Sequence, residues 1–408
     1  MKKTMKWVMG IVLCAIMSGA NGVLAQDWPQ WRGVNRDDKA TGFTAPSEWP
    51  KELKQQWQMN VGLGDATPSL VGDKLYAFTR QGEEEVILCL NAANGDEIWR
   101  DKYAAHAATG PAGSHPGPRS TPTVSEGKVV TLGVSGVLSC LDASSGKVLW
   151  RKEEFTKAVP QFFTAMSPIV IDGVCIAHLG GKDSGSIIAF DLEKGSQKWK
   201  WDGDGPAYSS PVLAEMDGVK QLVFQTEKNL IGVSTADGSL LWQVPTPPQR
   251  RFYNSSTPIV DGQTVFYTGQ GEGTKAIKIE KKDGGFGFKE LWSNPELGSG
   301  FNTPVLHDGF LYGLTAAGNL FCINAQTGKS AWTDEKRSNN FGSIVDAGSV
   351  LLALPSTSEL IVYKPNNEKY EELARYKVSD KPIYAHPIIV GNRIFTKDEN
   401  FITLWTIK

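Results

Sequence analysis

The sequence lacks most of the features that identify enzymes and nucleic-acid-binding proteins. Its 42 Lys and Arg residues against 44 Asp and Glu residues give a formal charge of −2, whereas a protein that binds a phosphate backbone needs a basic surplus. It contains no Cys-x-x-Cys-His haem motif, no paired-cysteine zinc spacing, no Gly-x-Ser-x-Gly elbow and no His-Glu-x-x-His pair. These absences argue against a nucleic-acid partner and predict no metal-binding or catalytic residue.

Long hydrophobic runs are also missing, because no stretch after the first 25 residues is long and apolar enough to span a bilayer. Residues 1–25 have three lysines among the first six positions, then a short apolar core and the small residues Val-Leu-Ala at 23–25. This pattern is typical of a secretory signal peptide that is cleaved near Gln26, with a retained membrane anchor as the alternative. The sequence predicts an exported protein, periplasmic or secreted, with no transmembrane segment after cleavage.

Cysteines are few, and their spacing argues against disulfides. The chain after residue 25 keeps four of them, and Cys89, Cys140 and Cys322 occupy the same position in a repeated segment. Equivalent atoms of neighbouring packed sheets lie about 10 Å apart, whereas a disulfide needs Cα atoms within about 7 Å. We therefore expect these three and Cys175 to be free, buried thiols, even in an exported protein.

What the sequence does contain is a repeat of about 40 to 50 residues. Each copy opens with Ser/Thr-Pro or a variant, continues through short alternating strands joined by glycine turns, and closes with Asp-Ala-x-x-Gly-Lys-x-x-Trp or a relative. The clearest copy runs from Thr121-Pro122 to Trp150. Strands this short and evenly spaced argue against helices. A unit of this length cannot bury its apolar face alone, so the copies must stack into a propeller.

The number of copies and the two chain ends predict how the ring closes. The openings fall at Pro68, Pro122, Pro168, Pro211, Pro258, Pro304, Ser343 and Pro387. The eighth copy supplies three strands before the chain ends, and residues 53–57 look like a closing strand with no copy before it. We therefore predict an all-β fold over residues 53–408: an eight-bladed β-propeller of four-stranded antiparallel blades, closed by the strand at about 53–57. Residues 26–52 remain as an irregular segment, packed outside the propeller or across one channel end.

The closing motif at residues 141–150, Leu-Asp-Ala-Ser-Ser-Gly-Lys-Val-Leu-Trp, resembles the pyrroloquinoline-quinone (PQQ) type of propeller repeat. The resemblance covers about residues 53–408. Residues 27–33, Asp-Trp-Pro-Gln-Trp-Arg-Gly, and residues 117–122, Gly-Pro-Arg-Ser-Thr-Pro, are similar to a bacterial, exported, stand-alone branch of PQQ-binding-like β-propeller proteins. This resemblance implies an eight-bladed fold and little about activity, because the role of that branch is mostly unassigned.

The wider superfamily contains quinoprotein alcohol and sugar dehydrogenases, and a lipoprotein subunit of the outer-membrane β-barrel assembly machinery that binds proteins and no quinone. Quinoprotein alcohol dehydrogenases use a disulfide of adjacent cysteines, a Ca²⁺ held by carboxylate and amide groups, and an Asp base. This chain has no adjacent cysteine pair and lacks long insertions between blades. We therefore expect no cofactor, with PQQ and Ca²⁺ as the alternative.

The segments that precede the openings should meet at one rim of the central channel, and they are rich in Arg, Tyr, His and Asn. Such side chains could hold a polar or anionic ligand, such as a sugar acid or a peptide carboxylate. The alternative is that they satisfy one another's hydrogen bonds. The candidate rim residues are Arg119, Tyr208, Arg251, Tyr253, Asn302, Arg337 and His386.

The function predicted from these features is that of an exported binding or scaffold protein for an unknown protein partner or a polar ligand, rather than an enzyme. A PQQ-dependent dehydrogenase and a carbohydrate-active enzyme such as a lyase are the alternatives. The largest insertion between blades, residues 104–118, is rich in Ala, Gly, His and Pro. It is interpreted either as a lid over the rim or as a flexible excursion.

Overall fold

The computed structural model of the protein describes residues 27–249, 253–282, 284–339 and 341–407. These residues form eight four-stranded antiparallel sheets. The predicted all-β, eight-bladed propeller is therefore confirmed. The predicted signal peptide and the rim residue Arg251 lie outside the described residues. Within the described ranges, no helix has the length and hydrophobicity needed to cross a bilayer.

The strands are numbered in chain order, and β1 (Lys54–Asn60) belongs to the last blade. Blades 1 to 4 consist of β2 (Ser69–Val71), β3 (Lys74–Gln81), β4 (Glu84–Asn91) and β5 (Glu97–Ala104); β6 (Thr123–Ser125), β7 (Lys128–Leu132), β8 (Leu138–Asp142) and β9 (Val148–Lys152); β10 (Ile169–Ile171), β11 (Val174–Gly181), β12 (Ser184–Asp191) and β13 (Gln197–Gly203); and β14 (Val212–Met216), β15 (Val219–Gln225), β16 (Asn229–Ser234) and β17 (Leu240–Pro245).

Blades 5 to 8 consist of β18 (Ile259–Asp261), β19 (Thr264–Gly269), β20 (Gly273–Lys282) and β21 (Gly285–Asn294); β22 (Val305–His307), β23 (Phe310–Leu314), β24 (Leu320–Asn324) and β25 (Ser330–Thr333); β26 (Gly342–Asp346), β27 (Leu351–Pro355), β28 (Glu359–Tyr363) and β29 (Glu372–Lys377); and β30 (Ile388–Val390), β31 (Arg393–Lys397), β32 (Phe401–Thr406) and β1. A short 3₁₀ helix, Gly110–Ala112, lies in the insertion after blade 1.

The ring closes where the sequence predicted. Strand β1 pairs antiparallel with β32, and Gln58 lies opposite Thr403. The Gln58 Nε2 donates to Thr403 Oγ1 at 3.1 Å. Closure leaves each described blade with one short edge at the outside and one facing the channel, which limits edge-to-edge pairing with other chains.

The Ser or Thr that precedes an opening proline links neighbouring blades around the axis. In each link, the backbone N–H of one opening residue donates to the hydroxyl of the next blade's opening residue. Four such links are 2.9 Å long: Thr121 to Ser167, Ser167 to Ser210, Thr257 to Thr303, and His386 to Thr67. The hydroxyl in the Ser/Thr-Pro motif therefore joins one blade to another.

The tryptophan of the closing motif joins blades at the outside. Trp99 of blade 1 donates its indole N–H to the Ala143 carbonyl of blade 2 at 3.2 Å. Its ring lies against Gly146, which has a φ of 74°, and a Cβ built there would come within 2.5 Å of the ring. Equivalent indole–carbonyl bonds join Trp57 to Ala92, Trp150 to Leu192, Trp199 to Thr235, Trp292 to Ala325, and Trp332 to Asn366. The glycine in the closing motif of one blade thus packs against the tryptophan ring of the previous blade.

The four cysteines in the described chain are free and buried, as predicted. Cys140 Sγ contacts the carbonyl oxygen of Leu192 at 3.5 Å. Burial raises the pKa of the Cys89 thiol to about 11 and that of the Cys140 thiol to about 12. These thiols therefore fill space and remain protonated at neutral pH.

Residues 27–40, which we call the plug, enter the channel from the end opposite the Thr-Pro rim. Asp27 accepts a hydrogen bond from the Gly72 N–H at the far turn of blade 1, and Trp28 pairs with Leu70. The Trp31 indole then reaches the Thr257 hydroxyl at 3.0 Å, beside the opening of blade 5. The plug contacts all eight blades, through Leu70, Val124, Pro168, Pro211, Thr257, Pro304, Asp346 and His386.

Two buried arginines hold the plug in place. Arg32 pairs with Asp38 and donates to the Pro304 carbonyl at 3.0 Å. Arg36 donates to backbone carbonyls of blades 3 and 4, including that of Pro211 at 2.9 Å. Burial lowers the pKa of Arg36 to about 9. The plug is therefore fixed by polar contacts to buried main-chain oxygens at the openings of the inner strands.

Candidate funnel site

A cavity of about 440 Å³ lies at the rim where the Thr-Pro segments enter the channel, and we call it the funnel cavity. Its floor is formed by Trp31 of the plug and His386 of blade 8, whose ring centroids are 4.3 Å apart. Trp31 of the plug closes the cavity on the side of the channel. Its wall includes seven rings, which we call the collar: His115, Phe162, Tyr208, Tyr253, Phe301, Phe341 and Tyr384.

The collar rings hold one another in offset and edge-to-face contacts. Phe301 stacks on Phe341 with centroids 4.4 Å apart, and Phe341 meets Tyr384 edge-on at 5.3 Å. Tyr253 makes similar edge contacts with Phe162 at 5.4 Å and with Tyr208 at 5.1 Å. Aromatic pairs of this geometry are stabilised beyond their buried area. The cavity therefore has an ordered aromatic wall.

Arg119 lines the cavity, but its guanidinium is occupied by other parts of the protein. Its Nη1 donates to the Phe162 carbonyl at 2.6 Å and to the Tyr208 hydroxyl at 2.7 Å. Its Nη2 donates to the carbonyls of Ala112 and His115. Arg119 therefore fastens the insertion 104–118 to the rim.

The other predicted rim residues in the cavity are also bonded internally. The Tyr253 hydroxyl donates to the Pro206 carbonyl at 2.7 Å. The Asn302 amide bonds to both the N–H and the C=O of Leu314. His386 Nδ1 lies 3.2 Å from Asp38 Oδ1 of the plug. These side chains are therefore satisfied within the protein, by main-chain groups and by Asp38, whereas Arg119 and Tyr208 bond each other.

The structure therefore brings together five of the seven predicted rim residues, Arg119, Tyr208, Tyr253, Asn302 and His386, around one cavity. Arg337 is exposed and is not among the residues that line the cavity. Arg251 falls outside the described part of the chain. That the five residues bind a ligand remains a prediction.

Several polar residues of the cavity were missing from the predicted set, and two of them, Asp65 and His115, form a pair. His115 Nδ1 donates to Asp65 Oδ2 at 2.7 Å, and the His115 ring meets Tyr384 edge-on at 4.7 Å. Asp65 lies two residues before the Thr67-Pro68 opening, at the rim position from which the other candidates were chosen. Repeat alignment could have found it. Its pairing with the His115 of the insertion could not be predicted.

The insertion 104–118 forms part of the cavity wall through Pro111, Ala112, Ser114 and His115. Asp65 N–H also donates to the Pro118 carbonyl at 2.9 Å. The insertion is therefore bonded to blade 1 and to Arg119 in this conformation. That it opens as a lid remains a prediction.

The residues of the funnel cavity do not fit PQQ with its calcium ion. A quinone and calcium site of that kind needs a free carboxylate, but Asp65, the carboxylate among the described residues that line the cavity, is bonded to His115. The Asn302 amide is bonded to Leu314. None of the cysteines in the described chain lines the cavity. In the described residues, no group of three or more His, Cys, Asp or Glu side chains could hold a metal ion.

The fold and the site together define a class: an eight-bladed β-propeller with a plugged channel and an aromatic funnel. The sequence places it more narrowly. Residues 83–334 match the family described as outer membrane protein assembly factor BamB, so the chain belongs to that family. The resemblance to the PQQ-type repeat is thereby confirmed.

Individual relatives agree with this assignment. The chain is 24% identical over 299 residues to the outer membrane protein assembly factor BamB of Shewanella oneidensis, covering 67% of this chain and 72% of that relative. The crystal structure of BamB from Moraxella catarrhalis superposes with a TM-score of 0.64 at 15% identity, over 87% of this chain and 98% of that one. A quinohemoprotein alcohol dehydrogenase from Comamonas testosteroni gives a TM-score of 0.71 at 14% identity, over 95% and 81% of the two chains. The two superpositions show a shared fold alone.

Proposed function

We propose that the protein is an exported binding protein that holds a partner or ligand and carries out no redox chemistry. The observation that supports this proposal is that the polar side chains at the rim are hydrogen-bonded within the protein. Arg119, Tyr253 and Asn302 are bonded within the protein, so they are not free to act on a substrate. An aromatic pocket with internally bonded polar groups suits recognition more than proton or electron transfer.

The family supplies the kind of partner that we propose. A relative with 72% of its length matched is named an outer membrane protein assembly factor, and the signal-peptide pattern of residues 1–25 predicts export. We propose that this chain likewise binds proteins of an assembly apparatus outside the cytoplasmic membrane. The large propeller surface, with exposed apolar residues such as Leu149, Leu240 and Leu291 on outer strands, offers contact area for such a partner.

Complementation tests this proposal. The chain would be expressed in a Shewanella oneidensis strain that lacks its own assembly factor, and folded β-barrel proteins in the outer membrane would be quantified. We expect the chain to restore their level at least in part. An exported, folded chain that restores nothing would rule out the assembly role.

The absence of redox chemistry is tested separately on the purified protein. With added PQQ and Ca²⁺, we expect no dye-linked oxidation of alcohols or sugars above a no-protein control. PQQ-dependent dye reduction that saturates with substrate would overturn the proposed binding role in favour of a dehydrogenase.

A second candidate function, action on a carbohydrate, is favoured by the pairing of His115 with Asp65 beside Tyr384. A carboxylate that orients an imidazole is a common arrangement for a general base. The test is release of unsaturated or reducing ends from polysaccharides, with His115→Ala as the inactive control. Lack of product with the folded wild-type protein would remove this candidate.

A further inference from the structure

The charge of the funnel cavity limits the kind of ligand that it can take. Among the described residues that line it, Asp65 supplies the one carboxylate and Arg119 the one guanidinium. Each is already paired inside the protein, Asp65 with His115 and Arg119 with four oxygen atoms. Their charges balance, so an anion would meet the carboxylate and a cation would meet the guanidinium at close range. A neutral ligand avoids both costs.

The aromatic rings of the collar indicate which class of neutral ligand fits the cavity. The faces of aromatic rings attract weakly polarised C–H groups, because the ring face carries partial negative charge. A pyranose ring presents a flat patch of such C–H groups on one side and hydroxyl groups around its edge. Phe301 is the most exposed collar ring, and it stacks on Phe341 in the cavity wall.

Polar groups around the cavity could bond those hydroxyls. The Gln270 amide, the Ser114 hydroxyl and the Tyr384 hydroxyl make no hydrogen bond to any described residue. His115 Nδ1 bonds to Asp65, and its Nε2 makes no hydrogen bond to any described residue, so this nitrogen can meet a sugar hydroxyl as donor or acceptor. These groups supply both donors and acceptors, which a sugar hydroxyl requires because it does both.

We propose that the funnel cavity binds a neutral saccharide, with the collar against the sugar face and His115, Gln270 and Tyr384 on its hydroxyls. This inference rests on the proposed binding role and names the ligand class of the same site. The volume of about 440 Å³ lies within the range of about 300–1,000 Å³ for small-ligand pockets. Because Trp31 closes the floor, the site accepts a short saccharide or the end of a longer chain.

The test is calorimetric titration of the full mature chain with maltose, cellobiose, trehalose and N,N′-diacetylchitobiose. We expect saturable binding of at least one of them. Glucuronic acid, tetramethylammonium and a peptide rich in aromatic residues serve as charged and peptidic comparisons. Failure of all four neutral disaccharides to bind, or binding of one of the comparisons in their place, would overturn the inference. Pull-down on insoluble polysaccharide, set against the free disaccharides, distinguishes a chain end from a free sugar.

Variants locate the binding. Tyr384→Ala should weaken the saccharide affinity by about tenfold, as expected for loss of an aromatic contact and a hydrogen bond. Tyr384→Phe should lose less, because it keeps the ring. Phe288→Ala removes an exposed ring on outer strand β21, away from the axis, and should leave affinity unchanged. Equal affinity of wild type and Tyr384→Ala, with both folded by circular dichroism, would contradict the proposed site.

The result separates this inference from the proposed function. If saccharides do not bind but complementation succeeds, the binding role stands and the ligand class is wrong. If PQQ-dependent oxidation is found, the binding role is wrong whether or not the neutral disaccharides bind.

Discussion

The buried ion pairs in the channel stabilise the fold by an amount that depends on pH. Asp38 is fully buried, and burial alone would raise its pKa. The Arg32 guanidinium and His386 outweigh that effect and hold the pKa of Asp38 below its usual value. A carboxyl with a depressed pKa in the folded state stabilises the fold above its unfolded pKa of about 4. It loses that contribution as the pH falls through the folded pKa.

The first prediction concerns Asp38→Asn. At pH 7 we expect this variant to lose about 3–5 kcal/mol in free energy of unfolding, because Arg32 is left buried without a counter-charge. The gap between wild type and variant should shrink as the pH drops below about 4, because only the wild type loses the ion pair. Urea unfolding at pH 7, 5, 4 and 3 measures it.

Asp37→Asn is the matched control for this pH series. Burial raises the pKa of Asp37, so its contribution to stability rises as the pH falls. The free energy of unfolding of wild type minus that of Asp37→Asn should therefore rise as the pH falls. The same difference for Asp38→Asn should fall. A pH-independent gap for Asp38→Asn would show that the ion pair is not the source of its stability.

At the scale of the element, the closing motif builds the contact between one blade and the next. Gly146 is the place where the Trp99 ring of the previous blade rests, and its φ of 74° is one that L side chains rarely adopt. Gly127, in a hairpin turn of the same blade, has a similar φ of 72° but open space around it. A comparison of substitutions at these two glycines therefore distinguishes the cost of backbone strain from the cost of a steric clash.

The second prediction uses this pair. Gly127→Ala and Gly146→Ala should share a backbone cost of about 1–2 kcal/mol, and Gly146→Ala should cost about 1–3 kcal/mol more because the new methyl group displaces Trp99. Thermal unfolding and the fluorescence of the tryptophans would measure both. Equal destabilisation by the two substitutions would show that the Trp–Gly contact does not limit packing between blades.

At the scale of the whole molecule, closure joins residues that are more than 340 positions apart. Gln58 and Thr403 face each other across β1 and β32. The third prediction is that Gln58→Cys/Thr403→Cys forms a disulfide, because directly opposed strand residues lie within reach of one. The cross-linked protein should unfold at a higher urea concentration than its reduced form.

Gln58→Cys/Thr406→Cys is the control for closure. Thr406 pairs with Lys54 and is three residues out of register with Gln58, so the two Cα atoms are about 10 Å apart along the strand. It should not cross-link. If both pairs or neither pair form a disulfide, the register that closes the ring is wrong.

The plug also acts on the whole molecule, because it contacts every blade. The fourth prediction is that Arg36→Met lowers the free energy of unfolding by about 3 kcal/mol, since the buried Ser167 and Pro211 carbonyls lose the Arg36 donor. The Pro168 carbonyl also loses Arg36 but keeps the Thr123 hydroxyl. The substitution should also speed proteolysis near the exposed Val34. Lys39→Met changes an exposed residue of the same segment and should do neither. Resistance of Arg36→Met to both heat and protease would show that the plug is held by other contacts.

Most of the fold could be predicted from the sequence because each repeat contains the residues that form its own blade and join it to the next one. The opening Ser/Thr-Pro, the glycine turns and the closing Trp each act within one blade or on the next, so their spacing alone indicates eight blades and their closure. The free cysteines followed from the same periodicity. The path of the plug could not be predicted, because residues 27–40 form no regular strand and contact all eight blades at once.

The sequence by itself determined the ring, its blade count and the rim position of Arg119, Tyr208, Tyr253, Asn302 and His386. Only the tertiary structure decided what these residues do there: Arg119 bonds the insertion, Asn302 bonds Leu314, and Asp65 pairs with His115. The physical reason is the distance in sequence over which each kind of contact acts. A repeat acts through neighbours at fixed spacing, whereas the funnel is made by groups that meet only when residues far apart in sequence converge on one axis.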